Sequence, residues 1–187
     1  MMIRRYITTT EWRAVLNSAS GKHKERDRCI IYMMFTHGLR VSEATQLKLS
    51  YLDIESKSIY IHRLKNGYSV SHPIPVDEMK LLKQWLSRRK EYKGSEKSDY
   101  LFISDGGGRL TRQRIYDIIK KCGKKSGITH HIHPHKFRHG CGFALAEKGI
   151  DTRLIQDYLG HRNIQHTVHY TQSNPSRFKR IWNPHPE

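Results

Sequence analysis

Between Ser58 and Val76 the texture of this chain changes. "SIYIHRL" and "YSVSHPIPV" read as strands, and "KNG" between them carries the Asn-Gly signal of a tight hairpin. A lone two-stranded hairpin is marginal in water, so this one must pack against what surrounds it. The surroundings read as helix. The expected fold is mainly α with a small antiparallel β-sheet (α+β).

Helical spacing and end signals mark most of the remaining chain. "ITTTEWRAVLNSASG" opens a helix with Thr8 and Glu11 at capping-box spacing. "RDRCIIYMMFTHG" is a more buried helix stopped at Gly38, and "SEATQLKL" starts a third with Ser42 as its N-cap. Arg40 therefore lies in a short link held by packed elements at both ends. "DEMKLLKQWLSRRKEY", "TRQRIYDIIKKCGKK" and "HPHKFRHGCGFALAEKG" are helical, the last with Pro134 in its first turn. Between the first two of these, "YLFIS" reads as a short strand before "DGGG". Asp151 caps "TRLIQDYLG", Gly160 closes it, and a short helix after Asn163 carries Tyr170. No internal repeat or long linker interrupts the chain, so residues 1–187 are read as one domain, with 173–187 as a C-terminal tail. In that tail Phe178, Ile181 and Trp182 form an apolar stripe at helical spacing.

Charge narrows the function. Thirty-four Lys and Arg stand against 17 Asp and Glu, a formal net charge of +17 over 187 residues. An excess of that size is the footprint of a phosphate-backbone binder. Cys29, Cys122 and Cys141 are scattered and form no CxxC pair, which argues against a zinc ribbon or a disulfide framework. "MMIRRYITTTEW" lacks the apolar core of a signal peptide, and "CIIYMMF" is too short to span a bilayer. A cytoplasmic protein with no membrane partner is expected.

Histidines invite a metal reading. His135 and His139 lie four apart, as zinc ligands do, but Lys136 stands where HExxH has glutamate, and Arg138 would place a positive charge beside the ion. Phosphate chemistry fits better. Guanidinium groups are planar, permanently charged and bidentate; His135 and Arg138 project side by side at a spacing of three, and Arg40 can supply a second guanidinium. Lys65 at the hairpin tip can reach a groove and protonate a leaving alkoxide. A tyrosine phenol has a pKa near 10 and needs a base or a positive field to act as a nucleophile. In "GHRNIQHTVHY", His161 and His169 flank Tyr170 with both to offer.

"THGLRVSEATQLKLSYLD", "HPHKFRHGCGFALAEKGID" and "IQDYLGHRNIQHTVHYTQ" resemble, in order and spacing, the three signature blocks of the tyrosine recombinase (phage integrase) family. The resemblance runs from about Thr8 to Tyr170. "IYIHRLKNGYSVSHP" and "GFALAEKGIDTRLIQDYLGHRNIQHTV" are most similar to the short fimbrial phase-variation invertases of the FimB/FimE/MrpI type.

The resemblance implies a role for each candidate. Arg40 and Arg138 are the phosphate-binding pair, and Lys65 protonates the leaving 5′-oxygen. His135 begins the H-x-x-R motif, and His161 is the residue after "LG". Tyr170 is the nucleophile that forms a 3′-phosphotyrosyl link. Glu43 orients Arg40 and His139 is supporting; His166 and His169 receive no role from the resemblance, and surface or DNA-backbone contact is their default reading. The implied activity is site-specific inversion of a short promoter-bearing segment between inverted repeats. The implied partners are double-stranded DNA carrying those repeats, a homotetramer on DNA and DNA-bending accessory proteins. No cofactor and no metal is implied. Most members carry an N-terminal helical core-binding domain, whereas only "MMIRRY" precedes the first helix here. A type IB topoisomerase shares the chemistry without pairing two sites, and a basic DNA-binding regulator shares only the charge; both stand as alternatives.

Overall fold

The computed structural model describes residues 4–172. The tail with Phe178, Ile181 and Trp182 lies outside the described residues. Among those described, eight α-helices surround one three-stranded sheet: α1 Thr9–Ser18, α2 Lys24–Thr36, α3 Val41–Gln46, β1 Leu52–Asp53, β2 Ser58–Ile61, β3 Val70–Pro73, α4 Val76–Arg89, α5 Arg112–Lys125, α6 Pro134–Glu147, α7 Thr152–Leu159 and α8 Gln165–Gln172. The mainly helical expectation with a small antiparallel sheet is met.

Local chemistry sets several of the helix ends. Thr8 Oγ1 accepts from the Glu11 amide at 3.2 Å, and the Thr8 amide donates to Glu11 Oε2 at 2.9 Å, closing the capping box. Asp151 caps α7 through the Leu154 amide, and Gly160 ends it in the left-handed region at φ +68°. The middle of α2 is apolar around most of its circumference: Cys29, Ile30, Ile31, Met33 and Met34 are fully buried. It is accordingly the central helix, packed by α1, α4 and α6.

Three expectations need correction. The N-cap of α3 is Arg40, not Ser42: the carboxylate of Glu43 folds back onto the Arg40 amide at 2.9 Å, which starts the helix two residues early. "YLFIS" forms no strand; Tyr100 pairs with Lys48 and Ile103 with Arg109 as isolated bridges. The hairpin strands stop at Ile61 and resume at Val70, and β1 adds a third, unforeseen strand in the order β1-β2-β3. The turn centres on Lys65 and Asn66 (φ +57° and +58°), one residue before the Asn-Gly pair.

The strands end for a physical reason. The Arg63 amide donates to Ser69 Oγ at 2.9 Å instead of to a neighbouring strand. Ile59, Ile61 and Arg63 share one phase of the two-residue alternation, and all three are buried. Tyr60, of opposite phase, is 40 % exposed.

Candidate active site

The centre of the site is one carboxylate. Glu43 Oε1 accepts from Arg40 Nη1 at 2.7 Å and from the Leu64 amide at 3.3 Å. Its Oε2 accepts from Arg63 Nη1 at 2.9 Å as well as from the Arg40 amide. Glu43 is buried, and burial favours its neutral acid. The guanidiniums of Arg63 and Arg138 and the donors of Arg40 more than offset that, so it titrates below the ordinary carboxylate range. The expected pairing of Glu43 with Arg40 is present, but Glu43 also joins the α2–α3 corner to the hairpin.

The two arginines buried at this corner, Arg63 and Arg138, hang on backbone carbonyls. Arg63 donates to the carbonyls of Gly38 (3.3 Å), His37 (2.8 Å) and Tyr158 (2.8 Å). Arg138 donates to Gly38 O at 2.6 Å and Leu159 O at 2.8 Å. Burial, then the neighbouring Arg63 and Arg40, lower Arg138 to about 10, which leaves it charged at neutral pH. Arg40 keeps 24 % of its side chain exposed, while Arg63 has none. The Arg40 and Arg138 pair is therefore brought to one corner with Arg40 facing outward. Nothing in local composition singled out Arg63; its phase with Ile59 and Ile61 was the one available signal.

Tyr170 lies on α8 against α6. It is 1 % exposed, and a Cβ on Gly142 would sit 2.6 Å from its ring. Its hydroxyl is 3.1 Å from His139 Nδ1. Burial raises the phenol to about 12, against the pull of Arg138 and Arg40. Burial, then His169 and His135, lower His139 to about 4, so its ring is neutral at pH 7 and Nδ1 can accept in the Nε2–H tautomer. His161, lowered to about 3 by burial, then Arg138 and Arg40, bonds Thr167 Oγ1 through Nδ1 at 2.8 Å. Its ring lies nearly parallel to that of Tyr170, with centroids 6.5 Å apart. Tyr158 is unsuited to nucleophilic attack, because its hydroxyl donates to Thr36 O at 2.9 Å and burial raises its pKa further.

The remaining candidates face solvent. Lys65 is exposed at the hairpin tip. His135 is exposed in the first turn of α6, beside the ring of His133. His166 is exposed near the ring of His161, and His169 lies 3.8 Å, centroid to centroid, from Tyr170. Among the described residues no three His, Cys, Asp or Glu side chains converge on a point where an ion would sit. None of the described helices is long and apolar enough to cross a membrane. The arrangement suits an anionic phosphodiester: fixed guanidiniums, a phenol, and a neutral imidazole within reach of its proton.

Comparison with known proteins agrees. The sequence model of the phage integrase family matches residues 5–177. Type 1 fimbriae regulatory protein FimB of Escherichia coli K12 is 50 % identical over 180 residues, covering 96 % of this chain and 90 % of FimB. Type 1 fimbriae regulatory protein FimE of the same strain is 46 % identical over 183 residues, covering 97 % and 92 %. Among solved structures, the XerH site-specific recombinase bound to a palindromic difH substrate, a post-cleavage complex, superposes with a TM-score of 0.78 at 27 % identity. That match covers 95 % of this chain and 53 % of XerH, so the chain spans about half of the larger recombinase.

Proposed function

The chain belongs to the phage integrase family and is a tyrosine site-specific recombinase; we propose that it inverts a short promoter-bearing DNA segment between inverted repeats and so controls fimbrial phase variation. The observation that carries this reading is the Tyr170 hydroxyl, 3.1 Å from a neutral imidazole and within the field of Arg138 and Arg40. The likeness to FimB and FimE supports the fimbrial assignment. It does not favour a topoisomerase cycle or a non-catalytic regulator.

In the proposed reaction, Arg40 and Arg138 hold the non-bridging oxygens of the scissile phosphate, with Glu43 orienting Arg40 and His135 and His161 beside them. Tyr170 Oη attacks phosphorus, and its proton passes to His139 Nδ1. The P–O5′ bond breaks as the 3′-phosphotyrosyl bond forms, and Lys65 gives the leaving oxygen its proton. The phosphodiester energy is conserved in the covalent link, so rejoining needs no nucleotide cofactor. Because the phenol is buried, DNA binding has to shift α8 before attack. Double-stranded DNA is the substrate, a reading supported by the likeness to XerH bound to its palindromic difH substrate. Strand exchange between two sites calls for four protomers and for accessory proteins that bend the DNA, in the cytoplasm.

A nicked suicide duplex tests the assignment. Tyr170→Phe should form no covalent complex yet keep its affinity, because backbone charge supplies most of the binding. Covalent complex at the unmodified protein's level would remove Tyr170 from the reaction.

A further inference from the structure

Three titratable side chains are enclosed behind the arginine corner and take no part in the proposed reaction. The side chains of His37, at the end of α2, and Glu78, on α4, have no exposed surface. His72, on β3, is 1 % exposed. His37 Nε2 lies 2.7 Å from Glu78 Oε1, and His37 Nδ1 lies 3.0 Å from His72 Nδ1. The second contact joins two like atoms, so one ring must donate and the other accept, and it holds a single proton. Burial, reinforced by His37 and Arg63, lowers His72 to about 2. The His72 ring stacks on Tyr158 at 3.8 Å, and Tyr158 in turn bonds Thr36 O. One polar network thus ties the end of α2, the outgoing strand of the Lys65 hairpin, α4 and α7.

The backbone of these same residues carries the arginines. The carbonyls of His37 and Tyr158 each accept from Arg63 Nη2 at 2.8 Å. The carbonyl of Gly38, next in the chain, accepts from Arg138 Nη1 at 2.6 Å. A buried ionisable pair seldom adds net stability over well-packed apolar side chains. What it adds is direction, since hydrogen bonds restrict angle as well as distance.

We propose that the His37–His72–Glu78 network is a positioning device for the phosphate-binding Arg138: it orients the carbonyls of His37, Gly38 and Tyr158, and through them Arg138 and the adjoining Arg63 that holds Glu43. The proposal rests on Arg138 being a phosphate ligand, and the experiment distinguishes failure of one from failure of the other.

His72→Phe keeps a ring against Tyr158 and removes the nitrogen that meets His37. The full chain would be compared on two nicked duplexes, one with an ordinary scissile phosphate and one with a methylphosphonate there. The methylphosphonate lacks the anionic oxygen that the arginines serve. Binding should be unchanged, and single-turnover cleavage of the phosphodiester should fall on the order of ten- to a hundredfold, the scale of a small misplacement. The deficit should shrink on the methylphosphonate, as it should for Arg138→Ala. Equal deficits on both duplexes would mean general loosening and overturn the proposal, as would undiminished cleavage. If Arg138→Ala also cleaves normally, the phosphate-ligand reading itself falls; if only His72→Phe does, the positioning role alone is lost. Should His72→Phe not melt cooperatively, Glu78→Gln, of the same shape without the charge, enters the same comparison with the same outcomes.

Discussion

Gly67 and Gly160 meet backbone to backbone: a Cβ on Gly67 would stand 2.7 Å from the carbonyl oxygen of Gly160, and one on Gly160 would stand 2.6 Å from that of Tyr68. This approach seats the Lys65 hairpin on the end of α7, one residue before His161. Gly67→Ala puts a methyl group where only backbone and the Arg63 Cβ are available to yield. It should destabilise by about 1–3 kcal/mol, the cost of overpacking. Cleavage should fall more than DNA affinity, measured by suicide-substrate kinetics beside gel shift; equal losses in both would show that the hairpin seat does not govern chemistry.

Arg63 and Lys65 are two residues apart and should fail differently. Arg63→Ala takes from the buried Glu43 carboxylate its nearer buried guanidinium, leaving Arg138 at 3.9 Å, and strips the carbonyls of His37 and Tyr158 of their donor, at a cost of about 3–5 kcal/mol, read as a lower urea midpoint. Lys65→Ala should leave that midpoint unchanged and slow cleavage. A 5′-bridging phosphorothiolate, whose leaving group needs no proton, should restore it. Failure of the sulfur substrate to rescue would reduce Lys65 to a binding contact.

Replacement of either proposed phosphate ligand, Arg40 or Arg138, by lysine keeps the charge and loses the fork. Arg40→Lys and Arg138→Lys should each lower single-turnover cleavage by about 10²–10³-fold. Only Arg138→Lys should also lower the melting temperature, since Arg138 spans two buried carbonyls. Cleavage at the unmodified rate in either variant would remove that arginine from the transition state.

Stability should fall with acid before the carboxylates titrate. His139 and His161 have folded values of about 4 and about 3 against an ordinary 6.5. Between those limits the unfolded chain binds more protons than the folded one, so stability rises with pH. It is fully present above about pH 6.5 and is lost as pH falls through that window. Urea midpoints should drop between about pH 7 and about pH 5, and the double change His139→Asn with His161→Asn should flatten the slope. An unaltered slope would assign the loss to other groups.

What the sequence determined by itself is what acts within a turn of the chain. Thr8 with Glu11, Asp151 with Leu154, Pro134 at the head of α6 and Gly160 at the end of α7 are local pairings. Spacing alone decides whether such groups meet; the signature blocks carrying Arg40, Arg138 and Tyr170 are legible instead through their resemblance to a known family. Lys65 was legible too, at a turn whose residues all but dictate a tip. The tertiary structure decided the contacts between distant segments. Glu43 reaches Arg63 across 20 residues, His37 reaches Glu78 across 41, and Arg138 reaches the Gly38 carbonyl across 100. No periodicity encodes these pairings, because they exist only once α2, the hairpin and α7 have packed and withdrawn water from the polar groups between them. Burial then does what spacing cannot: it keeps His139 neutral and leaves its nitrogen free to face the phenol of Tyr170.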